Sequence, residues 1–486
     1  MAKVVVEKLV YPGFWFGKTD PADALALAKR GVGGFCLYGG SAREVLQLTT
    51  WLREETGREL LFCADYEDGV GQWVPEGTLL PSNMAIGASA SPALAARKAE
   101  ITAKEAAALG VDWILAPVVD LASNPDNPIV NTRAFGSSPD LVCELAGAYL
   151  YALRQQGAFS CLKHFPGHGA AAVDSHLALP VIEAFRSELE KEDLKPYKKL
   201  SAQADAVMVG HIMATALDPK LPATSSVKIM NTLLRRTLGH HGRVVTDALL
   251  MGAVSDWRQT VLLAVMAGAD TLLAPQDPFE LCDFLCALRD TGAVPAAVIT
   301  AAIDRQEAML RDADLGRPRP DISVLGCGEH RQAVLEMSAS CMAWQKRPVS
   351  IPLRRDDSVY YVEPGVTSPD KWEGKVFVES LKEMGIHIDN AKPDTDKMLV
   401  ASFSRPRAFS GSINIDPRQL EQLRHMAKER KSAVAVSFGS PFIFSGLGFE
   451  LEAGLCTFSH CAEFQRAAAK VLCGYVEPGG TMPVNA

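Results

Sequence analysis

Short apolar runs alternate with longer segments of helical periodicity over about 300 residues from the start of the chain. Runs of this length, bounded by turn residues, are typical of buried strands, whereas the longer segments have the apolar spacing of helices. Such alternation predicts parallel strands joined by crossover helices. The predicted strands are Gly13 to Phe16, Gly34 to Tyr38, Leu60 to Asp65, Trp113 to Val119, Phe159 to His164, Ala206 to His211, Arg243 to Asp247 and Asp270 to Leu273.

Eight strand-helix units in this length predict a closed (β/α)₈ barrel, with an open doubly wound sheet as the competing architecture. The predicted helices include Pro21 to Arg30, Ala42 to Glu55, Pro92 to Leu109, Pro139 to Gln156, Arg186 to Ala202 and Val261 to Ala267.

Polar residues fall at the carboxyl ends of the predicted strands, and this favours the barrel. In a parallel barrel those ends converge on one face, where active sites are built. We therefore expect residues that are distant in sequence to meet in one pocket. They are Asp65 with Glu67, Asp120, Lys163 with His164, His211, and Asp247.

The second half of the chain predicts a smaller α/β sandwich of three layers. A polar, proline-rich linker begins at Gly316, and a helix is expected around His330 to Ala343. We predict a barrel at 1–315, a linker at 316–329 and a C-terminal domain at 330–486. That domain has no comparable charged cluster, so we expect it to pack against the barrel without catalytic residues. Its predicted strands are Ser358 to Val362, Lys375 to Val378, Met398 to Phe403, Ala433 to Phe438 and Gly454 to Thr457.

Composition narrows the class of partner. The 486 residues carry a formal net charge of -8, which disfavours nucleic acid or an anionic membrane as the main partner. No run approaches the roughly 18 apolar residues of a membrane helix, and the N-terminus lacks the apolar core of a signal peptide. The 11 cysteines include no C-x-x-C pair. These features predict a cytoplasmic protein and leave its oligomeric state open.

The segment from Leu162 to His176 concentrates protonatable groups, with one lysine, three histidines and one aspartate. Asp174 and His176 lie two apart, so in an extended segment they point the same way and can hydrogen-bond. The carboxylate would fix one imidazole nitrogen and leave the other free for general acid-base chemistry near neutral pH. The alternative is an aspartate that caps a turn beside a surface histidine.

Asp247 ends a β-branched run and is either a helix N-cap or a nucleophile. With His176 it would supply the two groups of a retaining glycosidase, the histidine replacing the usual acid carboxylate. Lys163 and His164 could both reach a ligand where their strand ends. Arg133 could clamp hydroxyls or a carboxylate, although loop arginines are usually solvated.

Metal and nucleotide sites are weakly supported. His164 and His168 are spaced i, i+4, but Pro166 and Gly167 lie between them, so the two histidines are not expected to share one face of a helix. The chain has no H-E-x-x-H, G-x-G-x-x-G or Walker motif. We therefore predict no metal and no organic cofactor.

Taken together, these segments resemble glycoside hydrolase family three, specifically its β-N-acetylglucosaminidase branch. The resemblance covers the predicted barrel closely and the second domain loosely. The motifs that carry it are Lys163-His164-Phe165-Pro166-Gly167-His168-Gly169, Asp174-Ser175-His176, Leu179-Pro180, Arg186, Glu188-Leu189, Asp193-Leu194, Pro196, Asn124-Pro125, Arg133-Ala134-Phe135-Gly136, Asp247-x-Leu249-x-Met251-Gly252-Ala253, Ser437-Phe438-Gly439-Ser440-Pro441 and Gly479 to Val484.

The resemblance implies a role for each matching residue. Asp247 would be the nucleophile, His176 the acid/base and Asp174 its orienting partner, all carried by the barrel. The substrate would be a small carbohydrate: an N-acetylglucosaminide, a chitooligosaccharide or a cell-wall fragment. The residues implied to line the sugar site are Asp65, Arg133, Lys163, His164 and His211.

The chain departs from the family at one motif. Where the family often reads D-x-E-G-G-R-V-x-R, this sequence runs from Asp65 to Trp73 as DYEDGVGQW, so both arginines are absent. Sugar binding by Asp65 can survive this change, but recognition of muropeptide-like aglycones is not expected to be retained. The usual polar residue after Gly169 is replaced by Ala170.

The residues and the resemblance together predict an exo-acting, retaining β-N-acetylglucosaminidase. Three alternatives remain: a phosphorylase that uses the same nucleophile and histidine, a non-catalytic sugar-binding protein on this scaffold, and a metal-dependent hydrolase. An imidazole acid/base permits phosphorolysis because it does not repel incoming phosphate as a carboxylate would.

Overall fold

The computed structural model describes residues 4–312, 318–388, 390, 395–406, 409 and 411–485. In the first part of the chain, parallel strand pairings run in a closed circuit. Leu272–Leu273 at its end pairs with Val10–Tyr11, directly before its first strand, which makes this part barrel-like. Ladders and single bridges join, in order, Gly13–Trp15, Gly34–Tyr38, Leu61–Ala64, Trp113–Ile114, Cys161–Phe165, Ala206–Val209, Arg243–Thr246 and Leu272–Leu273.

Helices surround this circuit, and many begin at a residue type suited to capping. The side chains of Asp20, Ser41 and Ser91 each accept a backbone N–H in the first turn of the helix that follows. The helices are Pro21–Arg30, Ala42–Thr56, Asn83–Ser89, Pro92–Ala108, Pro139–Gln155, Arg186–Lys191, Leu194–Leu200, Trp257–Ala267, Pro278–Thr291 and Ala296–Asp312, with a π-helix at Lys228–Thr237.

Several predicted elements of the barrel are shorter than expected, and two of them show this clearly. The predicted strand from Trp113 to Val119 is regular over Trp113–Ile114 alone, because Pro117 has no N–H to donate to a ladder. The predicted helix from Arg186 to Ala202 is broken into Arg186–Lys191 and Leu194–Leu200.

The second part of the chain contains a six-stranded sheet with helices packed against it. The first strand in the sheet order is antiparallel to its neighbour, and the other pairs are parallel. The strands, in spatial order, are Ala343–Lys346, Ala453–Cys456, Ser432–Ser437, Lys397–Ser402, Ser358–Val362 and His387–Ile388. The helices are Gly328–Ser340, Lys375–Glu383, Pro417–Lys428, Ile443–Leu447 and Ala462–Leu472.

The predicted strand from Lys375 to Val378 is wrong, because these residues begin the helix Lys375–Glu383. Phe377, Val378 and Leu381 are buried on one face of that helix. The Glu363 carboxylate accepts the N–H of Gly374 just before it. A four-residue apolar run does not distinguish a strand from a buried helix segment, so the sequence pattern misassigned it.

Direct hydrogen bonds hold the second sheet beside the barrel. Ser82 donates to the carbonyl of Phe458 (2.8 Å), and the Asn131 amide donates to the Ser440 hydroxyl (3.0 Å). Asn131 lies in the short turn that carries Arg133, so the second part of the chain supports one wall of the barrel face. None of the helices in the described ranges is both long and apolar enough to cross a lipid bilayer.

Candidate active site

A cavity of about 520 Å³ opens where the barrel strands end. Six of the eight residues that the sequence predicts for the site line this cavity: Asp65, Arg133, Lys163, His164, His176 and Asp247. They come from five separate strand exits and loops, as expected if parallel strands place their carboxyl ends on one face. The other two, Asp174 and His211, are buried behind the cavity wall.

One end of the cavity contains a compact network of opposite charges. The Lys163 ammonium lies 2.6 Å from Asp65 Oδ1 and 2.6 Å from Glu67 Oε1. Arg133 pairs bidentately with Glu67, with both N–O distances at 2.8 Å. A bidentate guanidinium-carboxylate pair fixes the orientation of both groups. Lys163 and His164 both line the cavity although they are adjacent, and the peptide bond between them is cis.

Glu67 lines the cavity as well; the sequence predicts it in the shared pocket beside Asp65 but assigns it no role. Burial favours its neutral form, but Arg133 and Lys163 outweigh that effect and hold the pKa of this carboxyl well below its usual value. Burial likewise disfavours the charged form of Lys163, and Asp65 with Glu67 raises its pKa above the usual range. Glu67 and Lys163 therefore both stay charged at neutral pH. The sequence feature that indicates Glu67 is the Asp-x-Glu spacing at the end of one predicted strand.

Asp120 organises the start of the histidine-rich loop. Its Oδ2 lies 2.7 Å from His164 Nδ1, and its Oδ1 accepts the backbone N–H of His168 at 2.8 Å. The His164 ring is thereby turned so that Nε2 lies 3.4 Å from Arg133 Nη2. A carboxylate on one ring nitrogen sets which nitrogen carries the proton. Asp120 thus positions His164 without lining the cavity itself.

Asp174 and His176 form the predicted pair, in a different backbone conformation. Asp174 Oδ1 accepts the backbone N–H of His176 at 2.8 Å and lies 2.9 Å from His176 Nδ1. The two residues lie in a turn, not an extended segment, so one carboxylate oxygen fixes both the turn and the ring. Asp174 is fully buried, whereas His176 is partly exposed and lines the cavity.

Asp247 lies at the end of Arg243–Thr246 and is not a helix N-cap. The next helix begins at Trp257 and is capped by Asp256. Burial opposes ionisation of Asp247, but the imidazoles of His164 and His211 outweigh it and hold its pKa below the usual value. Asp247 is therefore a carboxylate at neutral pH, as a nucleophile must be.

His211 lies behind Asp247 and does not line the cavity, contrary to the expected sugar contact. Its Nε2 is 3.3 Å from the carbonyl of Ala248, and its Nδ1 is 2.9 Å from the Thr224 hydroxyl. Both ring nitrogens are therefore engaged with the protein. Burial also lowers the pKa of His211. Because its hydrogen bonds are to Ala248 and Thr224, His211 supports the segment that carries Asp247.

Two backbone hydrogen bonds join the loop after Asp247 to the loop that carries His176. The Gly252 N–H donates to the carbonyl of His176 at 3.0 Å, and the Ala253 N–H donates to that of Ser175 at 3.2 Å. A Cβ added to Gly252 would lie 2.7 Å from the His176 oxygen, so the close approach requires glycine. These bonds bring Asp247 and His176 to the same cavity.

The second part of the chain also reaches the cavity, which sequence reasoning did not predict. Pro406 and Phe409 line it. The Phe409 ring centroid is 4.9 Å from that of His176, with the planes at 62°. Among the described residues, no group of three or more His, Cys, Asp or Glu side chains is arranged to hold a metal ion.

The family model described as glycosyl hydrolase family 3 N terminal domain matches residues 4–308, more than half of the chain. The chain belongs to glycoside hydrolase family 3. It is therefore a glycoside hydrolase, and the resemblance that the motifs indicated is confirmed.

Curated relatives and solved structures agree with this assignment. Beta-hexosaminidase A of Pseudoalteromonas piscicida is 26% identical over 546 aligned positions, which cover 96% of this chain and 91% of that protein. The beta-N-acetylglucosaminidase/beta-glucosidase of Cellulomonas fimi is 31% identical over 405 positions, covering 77% of this chain and 72% of that protein. The family 3 beta-N-acetylglucosaminidase from Paenibacillus sp. str. FPU-7 superposes with a TM-score of 0.87 at 25% identity, covering 100% of this chain and 99% of that one.

A further structural neighbour, beta-glucoside phosphorylase BglX, superposes with a TM-score of 0.91 at 21% identity. The superposition covers 100% of this chain and 94% of that one, so the whole fold is shared.

We expect Gly252→Ala to lower kcat/KM by about 100-fold, because the added Cβ must push apart the loops that carry Asp247 and His176, and misplacement of reacting groups by about 1 Å can cost that much. Steady-state kinetics on an aryl glycoside measures the effect. Gly446→Ala is the matched control, since a Cβ there meets nothing within 4 Å. Equal activity of the two variants would contradict the role of the loop contact.

We expect Asp193→Asn to stabilise the protein at alkaline pH. Asp193 packs under Gly167, its Oδ1 has no partner, and burial with the nearby Asp120 raises its pKa to about 7. The stability that this carboxyl contributes is present below about pH 4 and is lost as the pH rises through about 7. The difference in free energy of unfolding between the variant and the wild type should be larger at pH 8.5 than at pH 4, in favour of the variant, by on the order of 2–4 kcal/mol.

Thermal unfolding at the two pH values measures this gain. Asp140→Asn is the control of opposite sign, because hydrogen bonds from Lys195 and Lys199 lower the pKa of that exposed carboxyl. A gain from Asp193→Asn that is the same at both pH values would show that the Asp193 charge is not responsible.

Proposed function

We propose that the protein is an exo-acting, retaining β-N-acetylglucosaminidase that releases terminal β-linked N-acetylglucosamine. The observation that carries the proposal is that Asp247 and His176 open onto one cavity, with their loops joined by the bonds from Gly252 and Ala253. Relatives whose names include hexosaminidase or N-acetylglucosaminidase support the choice of sugar.

In the first step the Asp247 carboxylate attacks the anomeric carbon as the glycosidic bond breaks. The departing oxygen takes a proton from His176 Nε2, the ring nitrogen that is not bonded to Asp174. Asp174 accepts from Nδ1 and stabilises the imidazolium that donates this proton. The sugar is then held as an ester of Asp247.

In the second step water attacks the same carbon from the side that the leaving group has vacated. His176 Nε2 accepts the proton of that water, and Asp247 departs as a carboxylate. The free sugar is produced with its original anomeric configuration. No metal or organic cofactor takes part in this scheme.

The charged end of the cavity would bind the non-reducing sugar. Asp65 can accept from hydroxyls, and Lys163, Arg133 and His164 can donate to hydroxyl or amide oxygens. Glu67 holds the two cations in place with distances of 2.6 and 2.8 Å, so the binding groups are positioned before substrate arrives.

We propose the same division of the chain as the sequence indicates, with a (β/α)₈ barrel at 1–315, a linker at 316–329 and an α/β sandwich domain at 330–486. The circuit of strands that ends at Leu273 and the six-stranded sheet that begins at Ala343 support this division. A cytoplasmic location stays a prediction.

Phosphorolysis is the second candidate, because the acid/base is an imidazole and would not repel phosphate. The two described cations that line the cavity are both paired with carboxylates, which weakens their attraction for a free anion.

We expect His176→Ala to lower kcat/KM on a chitooligosaccharide by about 10²–10⁴-fold, because an alkoxide leaving group needs the proton most. The loss should be smaller on an N-acetyl-β-glucosaminide with a nitrophenolate leaving group. His425→Ala, at a histidine on the exposed face of Pro417–Lys428, is the control. Equal losses on both substrates would contradict general acid catalysis by His176.

Product analysis in phosphate and in phosphate-free buffer should give free N-acetylglucosamine at the same rate in both. A glycosyl phosphate that appears with phosphate would establish the phosphorylase instead. Binding of the sugar without turnover of any aryl glycoside would support the alternative of a non-catalytic sugar-binding protein. Loss of activity with chelator would establish the metal-dependent alternative.

A further inference from the structure

A fully buried lysine, Lys98, lies behind the charged end of the active-site cavity. It belongs to the helix Pro92–Ala108 and is not among the described residues that line the cavity. Its ammonium lies 3.1 Å from Asp68 Oδ1 and 2.8 Å from Asn83 Oδ1. Burial lowers the pKa of Lys98, and the Asp68 carboxylate acts against that shift. Because a buried ammonium is unfavourable unless it is paired and hydrogen-bonded, Lys98 depends on both contacts.

Asn83 connects Lys98 to Arg133. An ammonium can only donate hydrogen bonds, so it must meet the amide oxygen of Asn83 and not the amide nitrogen. The nitrogen then points the other way and donates to the backbone carbonyl of Arg133 at 2.8 Å. Asn83 is itself buried, so the orientation of its amide is set by Lys98 and not by solvent.

Asp68 connects Lys98 to the same part of the site from the other side. It follows Glu67 directly in the chain, and Glu67 bonds bidentately to Arg133. The contacts therefore close on themselves and form what we call the contact ring. Its members, in order, are Lys98, Asn83, Arg133, Glu67 and Asp68.

The contact ring does not follow from the family motif. Asp68 stands where that motif often has its first glycine, which has no side chain to pair with an ammonium. Replacing a buried ion pair with apolar side chains often leaves the stability of a protein unchanged or increases it. Stability alone therefore does not account for a lysine at position 98.

We propose that Lys98 is a positioning residue that holds Arg133 and Glu67 in the geometry that binds the terminal sugar. The contact ring fixes Arg133 at both ends, because Asn83 bonds its backbone carbonyl and Glu67 bonds its guanidinium. A binding group that is already ordered loses less freedom when the ligand arrives. The inference rests on the proposed β-N-acetylglucosaminidase activity and adds to it a residue outside the cavity that sets the affinity for the sugar.

The test is a double-mutant cycle between Lys98 and Arg133, measured as kcat/KM on an aryl N-acetyl-β-glucosaminide. Lys98→Met keeps an unbranched side chain and removes the ammonium. It should lower kcat/KM about tenfold, which is the cost of losing hydrogen bonds to a charged group. In an Arg133→Ala background the same substitution should change kcat/KM by less than about twofold, because the side chain that Lys98 positions is already absent.

Two further readouts separate positioning from a general effect on the fold. The loss in Lys98→Met should appear in KM, with kcat nearly unchanged, because Asp247 and His176 are outside the contact ring. The Kd of N-acetylglucosamine, measured by calorimetry without any reaction, should rise by the same factor as KM. Thermal unfolding of each variant confirms that these values are measured on folded protein.

Lys104→Met is the matched control, because Lys104 is an exposed lysine on the same helix. It should leave KM, kcat and Kd at their wild-type values. Asn83→Ala is the second variant, for use if Lys98→Met does not fold. It removes the bond to the Arg133 carbonyl and leaves the ion pair of Lys98 with Asp68 in place, so it should raise KM and Kd in the same way.

An equal loss from Lys98→Met with and without the Arg133 side chain would overturn the inference and leave the proposed function intact. Unchanged KM and Kd in both Lys98→Met and Asn83→Ala would do the same. A wild-type protein that binds N-acetylglucosamine but does not hydrolyse the glycoside would overturn the proposed function. The Kd values of the variants would then still decide whether Lys98 positions the sugar site.

Discussion

The arrangement of the active site depends on two backbone hydrogen bonds, from Gly252 and Ala253 to the carbonyls of His176 and Ser175. Asp247 is fixed by the end of a barrel strand, but His176 lies on a loop of small residues that has no strand of its own. The bonds attach that loop to the segment that follows Asp247. Because the donors and acceptors are backbone groups, these bonds need no particular side chain. They need only that the residue at position 252 has no Cβ, because a Cβ there would lie too close to the His176 carbonyl.

Charge compensation is the second constraint on the site. The cluster of Asp65, Glu67, Arg133 and Lys163 joins two acidic and two basic side chains in a largely buried position, where a single charge would be unfavourable alone. Among the described carboxylates that line the cavity, Asp247 lies outside this cluster, and the imidazoles of His164 and His211 keep it ionised. The residues proposed to bind sugar hydroxyls and the proposed nucleophile therefore differ in their charged partners.

The sequence predicted the barrel and six cavity-lining residues because both depend on local patterns. Alternating strands and helices determine the layer structure, and polar residues at strand ends must meet on one face. The helix Lys375–Glu383 was misassigned because four apolar residues fit either element. The ion pairs of Glu67, the position of His211 behind Asp247 and the contribution of Phe409 depend on contacts between distant segments, which no local pattern encodes. Asp174 and His176 pair as expected, but through a turn that their spacing alone does not specify.

The most direct test of the account is to trap the covalent intermediate. The enzyme would be treated with a 5-fluorinated N-acetyl-β-glucosaminyl fluoride, digested with protease and sequenced by mass spectrometry. The account predicts one added sugar on the peptide that contains Asp247, with the mass located on that side chain. A sugar attached to another residue, or an active enzyme that turns the reagent over without forming any adduct, would contradict Asp247 as the nucleophile that faces His176.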